Sequence, residues 1–458
     1  MSFKYSKACL RKMSVSILVI LLFSCRKADL LSTNKAFQLR ISSGSILFDT
    51  VFTNVNSTLR TVSLHNDNQQ AVEVSSIRLK GNALGYSFYS FSAGGKPGPQ
   101  IKNLKLAGGD SIILYIKVKI PADEQISVKV EQDSILITTN GNNQGIALKS
   151  YGQNVHFIDD TLISSDTHWN AIYPYVINRT LTVANGATLR IDAGSRIYFH
   201  GLTGLNINGS LIVNGEVKFP VIFNSDRLES IYNSVTGQWR GILIEPGSNT
   251  SLINYSQIMN AETGIAVVSS SASSNLQTII SNTQIRNMSV DGIFCQNTTV
   301  KLLNNLFSYC QNSLLEVIGD SNLQAKQNTF YNSNEIFFHT VPSVSLTLTG
   351  TTDSIVFLNN IIYGTLSNEL FIRGGQSIKI AGNLLTSTLG NSYPLNIYNA
   401  NPLFRLPSEN DLHLQSTSSP ATSKGISLVN DPDFGILTKD FDGVVRKAPP
   451  TIGAYEVY

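Results

Sequence analysis

Apolar residues in this chain recur in short runs, and turns rich in Asn, Gly and Ser separate the runs. Within many runs, apolar and polar positions alternate with the two-residue period of a half-buried β-strand, as from Ser111 to Ile120. Long amphipathic helical patterns are nearly absent. The pattern therefore predicts an all-β protein.

The first part of this pattern, residues 41–157, predicts about seven short strands. Strands at this spacing favour a β-sandwich. The clearest of them are Thr58 to Leu64, Val72 to Leu79, Ser111 to Ile120 and Ser134 to Thr139.

The same part contains "SLHN", "VEVSSIRLKG", "LAGGDSIILYIKV" and "GIALKSYGQ". In these segments it resembles the immunoglobulin-like domains related to the abnormal spindle and hydin proteins. The resemblance implies an immunoglobulin-like β-sandwich that acts as a spacer or as a protein-binding module.

Residues 158–400 carry a different, repeating pattern. An asparagine, followed within three positions by a bulky apolar residue, recurs at intervals of 23, 23, 32 and 23 residues. Three short strands and three turns form one coil of a parallel β-helix, and a coil of this length gives such a period. We expect the asparagines to hydrogen-bond from coil to coil. The long interval predicts a nine-residue insertion within Asn332–Asp353. The recurring asparagines are Asn282, Asn305, Asn328, Asn360 and Asn383.

The repeat region also contains "LTVANGATLRIDAGSRIYF", "LNINGSLIVNG", "PVIFNSD" and "GQWRGILIEPGS". Over residues 165–400 it resembles the right-handed parallel β-helix proteins of the pectin-lyase-like superfamily. Residues 401–458 resemble the C-terminal region of many such proteins through "NPLF", "SPATSKG", "DFDGVVR" and "TIGAYE", although Thr422, Ser423 and Thr451 depart from the usual residues. This implies a C-terminal cap that folds over the open end of the helix.

The N-terminal sequence predicts an export signal peptide. A positive segment precedes an apolar run from Ser14 to Phe23, which is too short to span a bilayer. The run ends in Leu22-Phe23-Ser24-Cys25, which resembles the lipobox of bacterial lipoproteins of the Bacteroidota type. The resemblance implies removal of residues 1–24, acylation of Cys25 and a lipidated tether over residues 25–40. The alternative is an ordinary signal peptide with a chance cysteine.

Removal of the signal changes the charge of the protein. The formal net charge falls from +3 to −1, because residues 1–24 contain four cations and no acid. The remaining chain gives no electrostatic argument for a nucleic-acid partner. The four cations are Lys4, Lys7, Arg11 and Lys12.

Cys295 and Cys310 are the cysteines that remain beyond the lipobox. They could form a disulfide in an oxidising envelope or stay as buried thiols. No Cys or Cys/His cluster suggests a metal.

Catalysis on a β-helix would require carboxylates stacked in neighbouring coils, as a calcium cluster with a base for a lyase or as a pair 5–10 Å apart for a glycosidase. Asp291 and Glu316 are 25 residues apart, close to one coil, and Asp320 follows on the same coil as Glu316. These three are the candidate catalytic residues, with Arg286 and Lys301 as nearby cations. They could equally be turn residues.

Four other residues could be considered as catalytic candidates. Trp239 and Gly241 belong to an element that is structural in the resembling family, so we interpret them as a packing residue and a tight turn. We interpret His168 and His200 as surface residues.

The tripeptide Asp-(Ser/Thr)-aliphatic is overrepresented and resembles the O-glycosylation acceptor of Bacteroidota. The alternative is that Asp-Ser pairs simply begin strands. The acceptors would be Thr50, Ser111, Ser134, Thr161 and Ser354.

These observations predict a lipid-anchored envelope protein, with the outer membrane as the default location and its facing side undecided. The β-helix would be a non-catalytic element that binds carbohydrate or an envelope protein, or that serves as structure. The alternative is a polysaccharide lyase or glycoside hydrolase acting on an acidic polysaccharide. We predict no cofactor, and calcium enters only under the lyase alternative.

Overall fold

The computed structural model describes residues 30–81, 85–124, 126–245, 250–269, 277–334, 338–388, 392–415 and 417–457. The chain divides into two compact units between Asn154 and Val155, and each unit is described separately.

The first unit contains two sheets. In the six-stranded sheet, β10 pairs with β9 and β3, while β5 pairs with β9, β7 and β1; the four-stranded sheet has the order β2-β4-β8-β6. The strands are β1 Leu31–Ser32, β2 Arg40–Ile41, β3 Ser45–Phe52, β4 Arg60–His65, β5 Ala71–Leu79, β6 Tyr86–Tyr89, β7 Gln100–Leu106, β8 Ser111–Val118, β9 Lys129–Thr139 and β10 Asn142–Gln153, with a 3₁₀ helix at Phe91–Ala93.

The two sheets form a sandwich because each has one apolar face. In β8, Ile112, Leu114 and Ile116 point inward and are buried, and they alternate with more exposed residues. They join residues such as Ile77 and Ile135 of the other sheet in one core. The predicted immunoglobulin-like sandwich is confirmed at this level.

The stretch expected to be a tether is partly folded. β1 pairs in parallel with β5. Leu39 is buried, and its backbone exchanges hydrogen bonds with the side-chain amide of Gln144 at 3.1 and 2.8 Å. The described residues from Leu30 onward therefore belong to the sandwich, because their backbone and apolar side chains find partners there. This also explains why the unit has more strands than expected.

The second unit is built from three parallel sheets, which we call sheets I, II and III. Sheet I contains β11 His156–Ile158, β14 Tyr175–Ile177, β17 Arg196–Phe199, β20 Val221–Ser225, β23 Ser256–Met259, β26 Gln284–Met288, β29 Leu306–Cys310, β32 Thr329–Asn332, β35 Ile361–Gly364, β38 Leu384–Leu385 and β39 Ile397–Tyr398.

Sheets II and III have nine strands each. Sheet II contains β12 Leu162–Ile163, β15 Leu181–Val183, β18 Gly204–Ile207, β21 Gly241–Ile244, β24 Ile265–Val268, β27 Ile293–Gln296, β30 Leu315–Gly319, β33 Val344–Leu348 and β36 Leu370–Arg373. Sheet III contains β13 Thr167–Trp169, β16 Thr188–Asp192, β19 Ser210–Asn214, β22 Ser251–Asn254, β25 Gln277–Ser281, β28 Thr299–Leu303, β31 Asn322–Lys326, β34 Ser354–Leu358 and β37 Ser377–Ala381.

Successive strands of the chain visit sheets I, II and III in turn, so each set of three is one coil of a parallel β-helix. Inward residues of all three sheets form one core of Ile, Leu, Val and Phe. Equivalent residues stack along the helix axis, as where the rings of Phe307 and Phe330 lie 4.6 Å apart. The predicted all-β fold class is confirmed.

The turns from sheet III to sheet I have a fixed form from β25 onward. Each has two residues between the strands, and the first adopts a positive φ, as in Asn304 and Asn359. Asn tolerates this conformation better than most residues. The second residue is the recurring Asn of the sequence or, in the first of these turns, Thr283.

These second residues form an asparagine ladder, as expected. The side chain of Asn305 donates to Asn328 at 3.0 Å, and Asn328 donates to Asn360 at 2.9 Å. Asn360 continues to Asn383 and Asn383 to Asn396. The side-chain oxygens of Asn328, Asn360 and Asn383 each also accept a hydrogen bond from the backbone N–H of the preceding ladder residue. The ladder therefore joins consecutive coils along one edge of the helix.

The predicted insertion is divided between two turns. Ser308 and Leu315 are seven positions apart, whereas their partners in the next coil, Tyr331 and Val344, are thirteen apart. Six of the nine extra residues therefore lie between sheets I and II. The other three lie between sheets II and III, before Ser354.

We call residues 401–457 the strap. It contains the antiparallel strands β40 Phe404–Leu406 and β41 Asp411–Leu414, a 3₁₀ helix at Pro407–Glu409 and the short helix α1 Phe434–Leu437. Another 3₁₀ helix occurs earlier, at Ser230–Tyr232.

The strap packs along the flank of the β-helix, which differs from the expected position over its open end. Ala454 donates to Thr329 at 3.0 Å, and Ile426 donates to Asn359 at 2.8 Å. The reason lies in sheet I, where strands such as β29 are apolar on both faces and must be covered outside as well. Tyr393 and Tyr398, which precede the strap, pack against the helix core.

A buried ion network also fastens the strap. Lys326 donates to Asp431 and Asp433 at 2.7 Å each, and Lys301 donates to Asp433 at 2.8 Å. Burial acts to raise the pKa of Asp433, but the hydrogen bonds from the two lysines outweigh it and lower the pKa. Removing one partner would leave a buried charge uncompensated.

The ladder predicts a stability effect at its centre. Asn328→Ala should lower the free energy of unfolding by about 3 kcal/mol, because it leaves the N–H of Asn305 and the carbonyl of Leu302 buried without partners. Urea unfolding measures the change. The control is Asn233→Ala at an exposed position, for which we expect a change within about 0.5 kcal/mol. Equal effects would contradict a structural role for the ladder.

Candidate functional site

The three candidate carboxylates do not form one cluster. Asp291 precedes β27, whereas Glu316 is the second residue of β30 in the next coil and Asp320 follows the end of β30. Glu316 and Asp320 are four residues apart along an extended strand, a separation of about 13 Å. Asp291 and Glu316 therefore form one pair, and Asp320 has a different neighbour.

The side chains of Asp291 and Glu316 lie near each other. Asp291 is buried, and its Oδ1 accepts from the side chain of Asn312 at 2.7 Å and from the N–H of Ser313 at 3.0 Å. Burial raises the pKa of Asp291 to about 6, with a further contribution from the negative charge of Glu316.

Asp320 faces Asp353, a residue that the sequence analysis did not place in a site. Asp353 is fully buried and accepts the N–H of Ser321 at 2.9 Å, while the N–H of Asp320 donates to Asn297 at 3.0 Å. Burial raises the pKa of Asp353, and the contact with Asp320 adds to this. The signal in the sequence is the interval of 33 residues between the two acids, which approximates the long coil.

The two expected cations do not join these carboxyls. Lys301 binds Asp433 of the strap. Arg286 lies on β26 in sheet I, where burial lowers its pKa. Among the residues that the structure describes, no group of three or more His, Cys, Asp or Glu side chains is placed to hold a metal ion. The arrangement required of a lyase is therefore not assembled from these candidates.

The outer face of sheet II combines aromatic and polar side chains, and we call it the binding face. Phe294, Glu316, Ser345 and Phe371 are cross-strand partners in one outward row. The neighbouring row consists of Gln296, Ile318, Thr347 and Arg373. Each of these residues is at least partly exposed. Rings and hydrogen-bonding groups side by side suit a ligand with apolar faces and polar edges.

The larger insertion borders the binding face and is fastened beneath it. Glu369 is fully buried and accepts from the hydroxyl and N–H of Ser343 at 2.6 and 3.0 Å, and from the N–H of Leu366 at 2.8 Å. The buried ring of His339 lies 3.4 Å from the same carboxylate. The adjacent Phe338 is 75% exposed, so the fastened loop presents an aromatic ring to solvent.

The residues interpreted as structural have that role. Trp239 is fully buried, stacks on Phe199 with ring centres 4.0 Å apart and donates to the carbonyl of Met259 at 2.8 Å. Gly241 has a φ of 110°, and a side chain there would collide with the backbone of Thr263.

Four other residues are placed as follows. His168 and His200 are exposed and lie beside Asp192 and Asp226. Cys295 and Cys310 are buried free thiols, so the disulfide alternative is not formed. Burial raises the pKa of both thiols.

The glycosylation candidates differ in exposure. Ser111 and Thr161 are exposed, whereas Thr50, Ser134 and Ser354 are half-buried. Asp110 precedes β8 and accepts the N–H of Ser111 at 2.7 Å, as expected of a residue that begins a strand. Asp133 lies inside β9 instead, where it accepts the N–H of Ser134 at 2.6 Å. Modification therefore stays a prediction, with Ser111 and Thr161 as the accessible positions.

Cys25 and residues 1–24 lie outside the described residues, so signal cleavage and lipidation stay predictions. Within the described residues, no helix is long and apolar enough to cross a membrane.

Comparison with known proteins gives only weak similarities. No family model and no curated protein matches the chain. A family 123 glycoside hydrolase from Clostridium perfringens is 11% identical over 27% of this chain and 26% of its own, with a TM-score of 0.18. The PapD-like domain 7 of human CEP192 is 11% identical over 28% of this chain and 92% of its own, with a TM-score of 0.18. The E. coli chaperone DraB is 14% identical over 26% of this chain and 55% of its own, also with a TM-score of 0.18. The chain spans about a quarter of the hydrolase's length. These values are too low to identify a function.

The raised pKa of Asp291 predicts an inverted pH dependence. A carboxyl whose pKa rises from 3.8 to about 6 on folding stabilises the folded state most at low pH, and this contribution is lost as the pH rises through 6. Asp291→Asn should therefore increase the free energy of unfolding at pH 7.5 by on the order of 2 kcal/mol and give little gain at pH 4. Urea unfolding across this range measures the difference. The exposed Asp160→Asn is the control, and a pH-independent effect of Asp291→Asn would contradict the prediction.

Proposed function

We propose that this protein is a lipid-anchored envelope protein whose β-helix is a non-catalytic element for binding carbohydrate. The proposal rests on one observation: the carboxyl groups of Asp291 and Asp353 accept hydrogen bonds from neighbouring coils. Asp291 holds the next coil through Asn312 and Ser313. Asp353, beside Asp320, accepts the N–H of Ser321 in the preceding coil. Side chains engaged in this way contribute to the stacking of coils.

The binding face is the surface that we assign to the ligand. Phe294 and Phe371 lie three strand spacings apart in one row, a distance of about 14 Å. Glu316 and Ser345 lie between them. A sugar chain offers C–H faces for the rings and hydroxyl groups for the polar side chains, so an oligosaccharide along this row would use both. A protein ligand is the alternative outcome.

The location of the protein rests on the N-terminal sequence. Leu22-Phe23-Ser24-Cys25 and the preceding apolar run support an anchor of the bacterial lipoprotein type, as found in Bacteroidota. The repeat supports membership of the pectin-lyase-like superfamily. An outer-membrane location extends the same proposal. The near-neutral mature chain supports the exclusion of nucleic acid as a partner.

A polysaccharide lyase or glycoside hydrolase is the second candidate. A single observation favours it, namely that a pKa of about 6 suits Asp291 to proton transfer near neutral pH. The assay for binding therefore includes a measurement of turnover.

For the binding face, we expect one class of oligosaccharide on a glycan array to bind the protein without being cleaved. Phe371→Ala should weaken binding about tenfold, equivalent to about 1.4 kcal/mol, because it removes a partly exposed ring from the row. The control is Leu252→Ala on sheet III, which removes a similarly exposed apolar side chain. Binding that Phe371→Ala leaves intact would contradict the assignment. Turnover that disappears in Glu316→Gln would favour the enzyme instead.

For the anchor, we expect the mature protein to begin at Cys25 and to carry acyl chains, which intact-mass measurement detects. Cys25→Ser should leave the protein unacylated and move it out of the detergent phase on phase separation. Cys310→Ser, at a buried thiol, is the control and should not change acylation. The same spectrum tests glycosylation, since hexose increments that disappear in Ser111→Ala and Thr161→Ala would locate it. An unacylated mature protein would contradict the anchor.

A further inference from the structure

Asp320 and Asp353 occupy the same type of turn in two adjacent coils. Both turns lead from sheet II to sheet III: Asp320 follows β30, and Asp353 precedes β34. Because β30 pairs with β33 and β31 pairs with β34, the two turns are stacked one strand spacing apart. The smaller part of the insertion, three residues, belongs to the second of these turns.

The two carboxyl groups face each other with unpaired oxygens. Oδ1 of Asp353 accepts the N–H of Ser321, but its Oδ2 is buried with no hydrogen-bond partner among the described residues. Oδ1 of Asp320 is likewise buried and without a partner there. The side chains are nevertheless in mutual hydrogen-bonding reach. Two ionised carboxylates in this position repel each other, since neither has a proton to donate.

The backbone packs closely around the pair. Gly350 lies against both carboxyls, and a Cβ at this position would overlap an oxygen of Asp320 and an oxygen of Asp353. Asp353 is fully buried, whereas Asp320 is half-buried, so water can approach from the side of Asp320. Nearby lysines do not supply the missing charge, because Lys301 and Lys326 bind the strap.

We propose that the paired turns bind a hard divalent cation, such as Ca²⁺, between the carboxyl groups of Asp320 and Asp353. Carboxylate oxygens are the ligands that such cations prefer, and water completes the coordination where the protein offers two side chains. The cation would neutralise the pair and connect two adjacent coils at the edge between sheets II and III, where the smaller insertion lies. This site is separate from the pair of Asp291 and Glu316 and does not depend on the proposed function.

The test compares thermal unfolding of the full-length protein in CaCl₂ and in EDTA. We expect Ca²⁺ at ten or more times its dissociation constant to raise Tm by about 2–4 °C, because it binds the folded state alone. Isothermal titration should give one Ca²⁺ per chain at this site. Asp320→Asn and Asp353→Asn should each abolish both the Tm shift and the binding, while keeping the size and shape of the side chains.

The control is Asp166→Asn, which changes a carboxyl in the sheet II to sheet III turn of the first coil and should keep the Ca²⁺ effect. Gly350→Ala retains both carboxyls but places a Cβ against an oxygen of each, so it should displace them and lose Ca²⁺ binding even if an Asn variant fails to fold. No Ca²⁺-dependent shift in the unaltered protein would overturn the proposal and leave a shared proton as the link. A shift that persists in both Asn variants would overturn it as well, because the ion would then act elsewhere.

Discussion

The structure depends on the hydrogen bonding of one turn. In the sheet III to sheet I turns that contain Asn305, Asn328, Asn360 and Asn383, a residue with positive φ is followed by an Asn side chain that bonds to both neighbouring coils. Such a side chain must both accept and donate, and the amide of Asn does so in a small volume. In these coils the turn fixes where each coil begins relative to the previous one, and the three sheets keep their register there.

The sequence predicted the parts of the fold that repeat. The 23-residue interval and the position of Asn within it were sufficient for the β-helix and the ladder, because stacking places equivalent residues at equal spacing. Trp239 and Gly241 were interpreted through the resemblance to the pectin-lyase-like superfamily instead. The strap was misplaced because its partners are more than 60 residues away, as for Ile426 and Asn359, and no period relates them.

The candidate site was harder to predict for a related reason. Asp291 and Glu316 are nearly one coil apart and do meet, whereas Glu316 and Asp320 share a coil but lie at opposite ends of a strand. Proximity in the chain suggested a cluster, although a strand separates its ends by its full length. Glu369 gave no signal, since His339 and Ser343 reach it only because of where the inserted loop turns.

The uneven length of the three turns has a consequence for how such a protein can change over time. From β25 onward the ladder turn holds two residues in every coil, while the other two turns accept six and three extra residues in a single coil. Selection can therefore lengthen or shorten either border of the binding face without disturbing the register of the coils. Under the binding role that we propose, specificity and stability are encoded on different edges of the same helix, and an insertion can change recognition while the scaffold is inherited unchanged.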